Sequence, residues 1–122
     1  MPPAVASAAR LVLVTVSSEE QGKAIAEALV SDRLAACVNI VGPMRSIYRW
    51  KEKLEDDREF LLLAKTRASL FKRLERRVRE LHSYEVPEIV ALRFNQGSSP
   101  FLLWLLESTA GMSTRRRTRK SR

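Results

Sequence analysis

Leu81-His82-Ser83-Tyr84-Glu85-Val86-Pro87-Glu88-Ile89 is the stretch that decides the fold, because a helical pattern stops there and a strand pattern starts. Upstream, Leu70, Phe71, Leu74, Val78 and Leu81 recur at helical spacing while Lys72, Arg73, Glu75, Arg76, Arg77, Arg79 and Glu80 fill the opposite side, which predicts an amphipathic helix over 68–81 with a basic solvent face. Downstream, Ile89-Val90-Ala91-Leu92 forms the core of a strand predicted over 88–94. The joint between them gathers the only histidine of the chain, a tyrosine, two carboxylates and a proline. Neither a catalytic triad, a Gly-rich phosphate loop nor a spaced metal-ligand set accompanies it, so an enzyme is not expected: a nucleophile needs a base within hydrogen-bond reach.

Towards the N-terminus, the β-branched run Leu11–Val16 has the continuity of a strand buried on both faces. Ser18-Glu19-Glu20-Gln21 fits a capping box, in which the hydroxyl accepts a backbone N–H and the Gln side chain reaches back to the cap, so a first helix is expected from there to about Asp32. Leu34–Val41 predicts a second strand, interrupted by Gly42-Pro43 as at a bulge and resuming through Ser46–Lys51, where alternation puts Tyr48 and Trp50 on one face. Residues 52–57 read as a charged connection and 58–65 as a third strand, together a long projecting hairpin. Beyond the fourth strand, Ser99 as N-cap and Pro100 at the first helical position open a last helix to about Ser108, too apolar all round to meet only its own core.

The resulting order is β-α-β-β-α-β plus a helix: an α+β, ferredoxin-like sandwich with two helices on one face of an antiparallel sheet. The other face needs cover, and self-association is the simplest way to supply it. At 122 residues one domain is expected, spanning 11–109 between a flexible leader, 1–10, and a disordered basic tail, 110–122. The formal charge of +8 is concentrated in that tail: Arg115, Arg116, Arg117, Arg119, Lys120 and Arg122 leave only about +2 for the rest. Nucleic-acid binding is therefore expected at most weakly, through the tail. Apolar runs such as Phe60–Ala64 are too short to span a bilayer, and the single Cys37 forms no internal disulfide, which together suggest a cytoplasmic protein without membrane contact.

The segments Val14–Glu20, Leu34–Ile40, Ser46–Leu54, Lys65-Thr66, His82–Ile89 and the Phe101–Leu105 pattern occur in an order in which the chain resembles the CutA family of divalent-cation tolerance proteins. The resemblance implies a ferredoxin-like subunit in a homotrimer, with hairpin and last helix packed between subunits. It also implies a link to copper and other divalent cations in intersubunit clefts, with no organic cofactor. Two departures stand out: the family usually reads His-Pro-Tyr where this chain has Ser83, and some bacterial members carry a cysteine at the position of Val14 and a second histidine at that of Leu81.

The candidate metal ligands are His82, Cys37 and Glu85, imidazole and thiolate suiting copper. Against this, Cys37 in an apolar strand reads as a small buried hydrophobe, and His82 at a helix end reads as a cap or an interface hydrogen-bonder. Tyr84 and Glu88, with Tyr48, Trp50 and Lys65, read as walls of a cleft or as an interface network. The alternative function is a trimeric sensor, built like the PII proteins, that binds a small anionic ligand in such clefts.

Overall fold

In the computed structural model, which describes residues 3–110, β1 (Ala9–Val16) pairs antiparallel with β3 (Lys53–Arg67) from Ala9 opposite Arg67 to Val16 opposite Phe60. On its other side β1 pairs antiparallel with β4 (Ile89–Arg93). β2 (Cys37–Trp50) adds to β3, giving the sheet order β2-β3-β1-β4. Between the strands run α2 (Glu19–Ser31) and α3 (Phe71–Leu81), the latter preceded by a 3-10 turn at Ala68–Leu70; α1 (Pro3–Ser7) and α4 (Ser99–Ser108) stand at the two ends. This is the expected α+β ferredoxin-like arrangement with an added C-terminal helix.

Because strand side chains alternate, pairing fixes which residues share a face. Val12, Val14, Val16, Leu62 and Ala64 point to the helices and pack with Ile25 and Leu29 of α2 and Leu74 and Val78 of α3 as the main core. A smaller cluster joins Ala6, Ala9 and Ala36 to Leu102 and Leu105 of α4. The Arg67 guanidinium donates to the Leu106 carbonyl and, at 3.0 Å, to Thr109 Oγ1, fastening the end of α4 to β3. The opposite sheet face carries the cross-strand rows Leu11–Lys65, Leu13–Leu63 and Thr15–Leu61, continued into β4 by Leu92 and Val90, which stay 46% and 45% exposed.

Several boundaries differ from those read in the sequence. The charged segment 52–57 is strand: β2 and β3 pair out to Trp50 opposite Lys53, and the chain reverses over Lys51 and Glu52 alone, both at positive φ (50° and 71°). Charge alternating with Leu54 does not end a strand whose two edges both face water. The interruption expected at Gly42-Pro43 is present as a register shift between Val41 and Met44, with a cis Gly42–Pro43 bond. Leu34–Ala36 is buried but precedes β2, which starts at Cys37. The leader is not free chain over its described part, since Pro3–Ser7 is helical and Ala6 is buried against α4. α4 has Ser98 rather than Ser99 as its cap residue, with no side-chain cap bond. In α2 only half of the capping box forms: Ser18 Oγ accepts the Gln21 N–H at 3.1 Å, whereas the Gln21 side chain is engaged elsewhere. The arginine-rich tail expected over 110–122 lies, from 111 on, outside the described residues.

Candidate functional site

α3 ends at His82, whose backbone N–H donates to the Val78 carbonyl at 2.8 Å while an extended ψ of 142° turns the chain out of the helix. The Tyr84 N–H then donates to His82 Nδ1 at 3.0 Å. That bond requires Nδ1 to carry a lone pair, so the ring proton is on Nε2, which donates to the Thr15 carbonyl of β1 at 2.7 Å. Both ring nitrogens are used. The imidazole is a strut between the loop over 82–88 and the end of β1, with the Tyr84 ring tilted against it at 4.7 Å between centroids.

Ser83, the atypical residue of its motif, donates from Oγ to Gln21 Oε1 at 3.1 Å and so ties the loop to the first turn of α2. Proline at this position has no such donor. Tyr84 turns the other way, over the sheet face not covered by helices, and its hydroxyl donates to Glu59 Oε2 at 2.6 Å. Burial, followed by the bond to Glu59, holds the Tyr84 phenol well above the usual tyrosine range. Glu59 itself is only 5% exposed.

Between this loop and the outer half of the hairpin lies a cavity of about 790 Å³. Its floor is Leu13, Thr15, Leu61 and Glu59 of the sheet, one wall is Ser83, Tyr84, Glu85, Val86 and Glu88, and the other is Met44, Ser46, Ile47, Tyr48 and Trp50. Tyr48 donates to Asp57 Oδ2 at 2.5 Å across the hairpin, and chiefly this bond pushes its pKa up to about 12. At the rim, Lys51 Nζ is 3.7 Å from Glu85 Oε1 and 5.4 Å from the centroid of the Trp50 ring.

Five of the residues expected in a cleft, Tyr48, Trp50, Tyr84, Glu85 and Glu88, therefore line one cavity within a single chain. Lys65 does not join them. It stands opposite Cys37 and Leu11 in the sheet, bonded to Asn39 Oδ1 and 3.9 Å from Cys37 Sγ. That row is four residues along β1 from Thr15, about 13 Å at ~3.3 Å per residue. Cys37 is partly exposed rather than core, and the same separation keeps it from His82 and Glu85, so these three candidate ligands do not converge within one subunit. Among the described residues no group of three or more His, Cys, Asp or Glu is placed to hold one ion. Sequence reading missed Glu59. The alternation Glu59, Leu61, Leu63, Lys65 already put it on the open face, but its place in a charged run suggested a solvated connection.

Residues 10–108 match the family model described as "CutA1 divalent ion tolerance protein". The chain belongs to this family. The divalent-cation tolerance protein CutA of Thermus thermophilus is 54% identical over 99 residues, which cover 81% of this chain and 96% of that protein. Mouse Protein CutA is 46% identical over 100 residues, 82% of this chain and 56% of the mouse protein, so the CutA1-like chain spans little more than half of that relative. Among solved structures, the T. thermophilus Cut A1 protein superposes with a TM-score of 0.82 at 52% identity, covering 84% of this chain and 99% of that one. The Archaeoglobus fulgidus structure, titled a periplasmic divalent cation tolerance protein CutA, gives 0.81 at 35% identity over 84% of this chain and 99% of its own. These names describe tolerance proteins and state no catalysed reaction. Among the described residues no helix is long and apolar enough to cross a membrane.

Proposed function

We propose that this CutA-family chain is a non-enzymatic, cytoplasmic protein of divalent-cation tolerance that takes up cations in the cavity between the loop over 82–88 and the hairpin. The observation that carries this reading is the cavity's charge: its ionisable lining consists of the carboxylates Glu59, Glu85 and Glu88 and the phenols Tyr48 and Tyr84, with no lysine, arginine or histidine. Such a lining attracts cations and gives an anion nothing to pair with, which is why the anionic-ligand sensor is not carried forward. The donor set fits a divalent ion in type but is spread over the cavity walls, so an ion bound here keeps water or takes donors from a neighbouring copy. Copper(II) stands highest among first-row divalent ions at N/O sites, so it is the cation for which the tightest binding is expected.

Assembly belongs to the same reading. The rows Leu11, Leu13, Leu61, Leu63, Val90 and Leu92 leave the open sheet face partly wet in one chain, and a homotrimer, as the family resemblance implies, covers it. Titrating Cu(II) and Mn(II) into metal-stripped full-length chain, with its mass in solution measured alongside, tests both parts. Saturable binding weakened by Glu88→Gln and a mass of three chains are expected. Binding indifferent to Glu59, Glu85 and Glu88 would remove the cavity from the account, and a monomer that stays monomeric at every concentration would remove the assembly.

A further inference from the structure

A metal ion uses only the carboxylates of this cavity. It leaves unexplained the aromatic and aliphatic lining and a volume of about 790 Å³, which falls in the range of about 300–1,000 Å³ usual for organic ligands. We propose that the cavity is a binding site for small aliphatic ammonium compounds, of the diamine and polyamine class. The proposal rests on the acidic character assigned to the cavity above but names a different ligand.

The chain itself shows the recognition geometry. Lys51 is an alkylammonium, and it sits at the rim with Nζ over the Trp50 ring at 5.4 Å and 3.7 Å from a Glu85 oxygen. An aromatic face and a carboxylate on one ammonium are the two elements by which proteins hold organic cations. Further in, Glu59 and Glu88 supply two more carboxylates, and among the described residues no lysine or arginine pairs with either. Glu59 is nine-tenths buried, with one oxygen fixed by Tyr84, so its charge acts in a space largely shielded from water. Leu13 and Leu61 on the floor between these charges offer an apolar surface to a methylene chain. A ligand with ammonium groups separated by methylenes matches this alternation of charge, aliphatic surface and charge.

The test is calorimetric titration of the full-length, metal-stripped chain at low ionic strength with 1,4-diaminobutane and spermidine, using 1,4-butanediol as the neutral control. Saturable binding of both amines and none of the diol is expected. Glu88→Gln, an exposed position whose substitution leaves the core intact, is expected to weaken binding about tenfold or more, by loss of a charge-assisted hydrogen bond. Trp50→Leu is expected to weaken it about fivefold through the lost cation–π contact. Glu59→Gln keeps an acceptor for Tyr84 while removing the charge, and should act like Glu88→Gln. The proposal is overturned if the amines do not bind, if the diol binds as well, or if neither glutamate variant moves the affinity by more than about twofold. A parallel Mn(II) titration separates the two readings: amine binding without metal binding rejects the metal site alone, and metal binding without amine binding rejects this one alone.

Discussion

The Tyr84 hydroxyl donates to Glu59 Oε2 at 2.6 Å, joining the loop that precedes β4 to the middle of β3 across the sheet face that no helix covers. Glu59 is buried there, and among the described residues Tyr84 is its one hydrogen-bond donor. Tyr84→Phe therefore leaves a buried carboxylate unsatisfied, and a loss of about 1–3 kcal/mol is expected in urea denaturation followed by circular dichroism. Replacing both partners, as in Tyr84→Phe with Glu59→Leu, should recover part of that loss. A single substitution with no measurable cost would show that the bond is not maintained in solution.

The same contact and its counterpart at Tyr48 predict an alkaline signature. Both tyrosines of the chain are held above the ordinary value of 10.0, Tyr84 by burial and then Glu59, and Tyr48 by the Asp57 bond, to about 12. The folded state binds these protons more tightly than the unfolded one. Stability from the phenol bonds is therefore complete below pH 10.0 and declines as pH rises from there through about 12. Ultraviolet titration of the native protein should show almost no tyrosinate at pH 10.0, with ionisation and unfolding arriving together above it. Half-ionisation of the folded chain near pH 10.0 would contradict the geometry.

His82 is expected to act in folding rather than in metal capture. His82→Ala removes the bonds to Thr15 O and the Tyr84 N–H, for a loss of about 1–3 kcal/mol in the same denaturation assay. The Cu(II) affinity of the folded variant should stay within about twofold of the parent, since a ring with both nitrogens engaged has no lone pair to offer. A collapse of Cu(II) binding at unchanged stability would restore His82 as a ligand.

The hairpin yields two substitutions of opposite sign. Gly42 has a φ of 150°, and a Cβ there would lie 2.7 Å from Phe60 Cδ2, so Gly42→Ala is expected to cost about 1–3 kcal/mol through strain and displacement of the Phe60 ring. At the tip Glu52 occupies a φ of 71° that costs a non-glycine residue about 1 kcal/mol, so Glu52→Gly should raise the unfolding midpoint. Paired thermal melts of the two variants check both signs, and a destabilised Glu52→Gly would mean that its side chain has a role the turn geometry does not show.

The order of the elements and the inward faces of β1, α2 and α3 were legible in the sequence because they follow from local periodicity. Alternation at Val12, Val14 and Val16 and helical spacing at Leu74 and Val78 each require burial on one side, and only a few layered arrangements satisfy all of them at once. Resemblance added the family, since the residues around His82–Ile89 recur as a motif. Where strand 3 begins was not legible. Residues 52–57 carry no apolar alternation, and they are strand only because β2 lies alongside to pair with their backbone.

The junction around His82 shows the same division. Sequence placed its polar groups together but did not assign their partners, because a partner is fixed by register between strands far apart in the chain. Pairing put Thr15 under His82, Glu59 under Tyr84, and Lys65 with Cys37 on a distant row of the same face. Local sequence determined which groups are present and which side of each element they occupy. The tertiary structure decided which charges meet, turning an expected mixed-charge cleft into an acidic, aromatic cavity, because long-range strand pairing is decided by the packing of the whole sheet and not by any one segment.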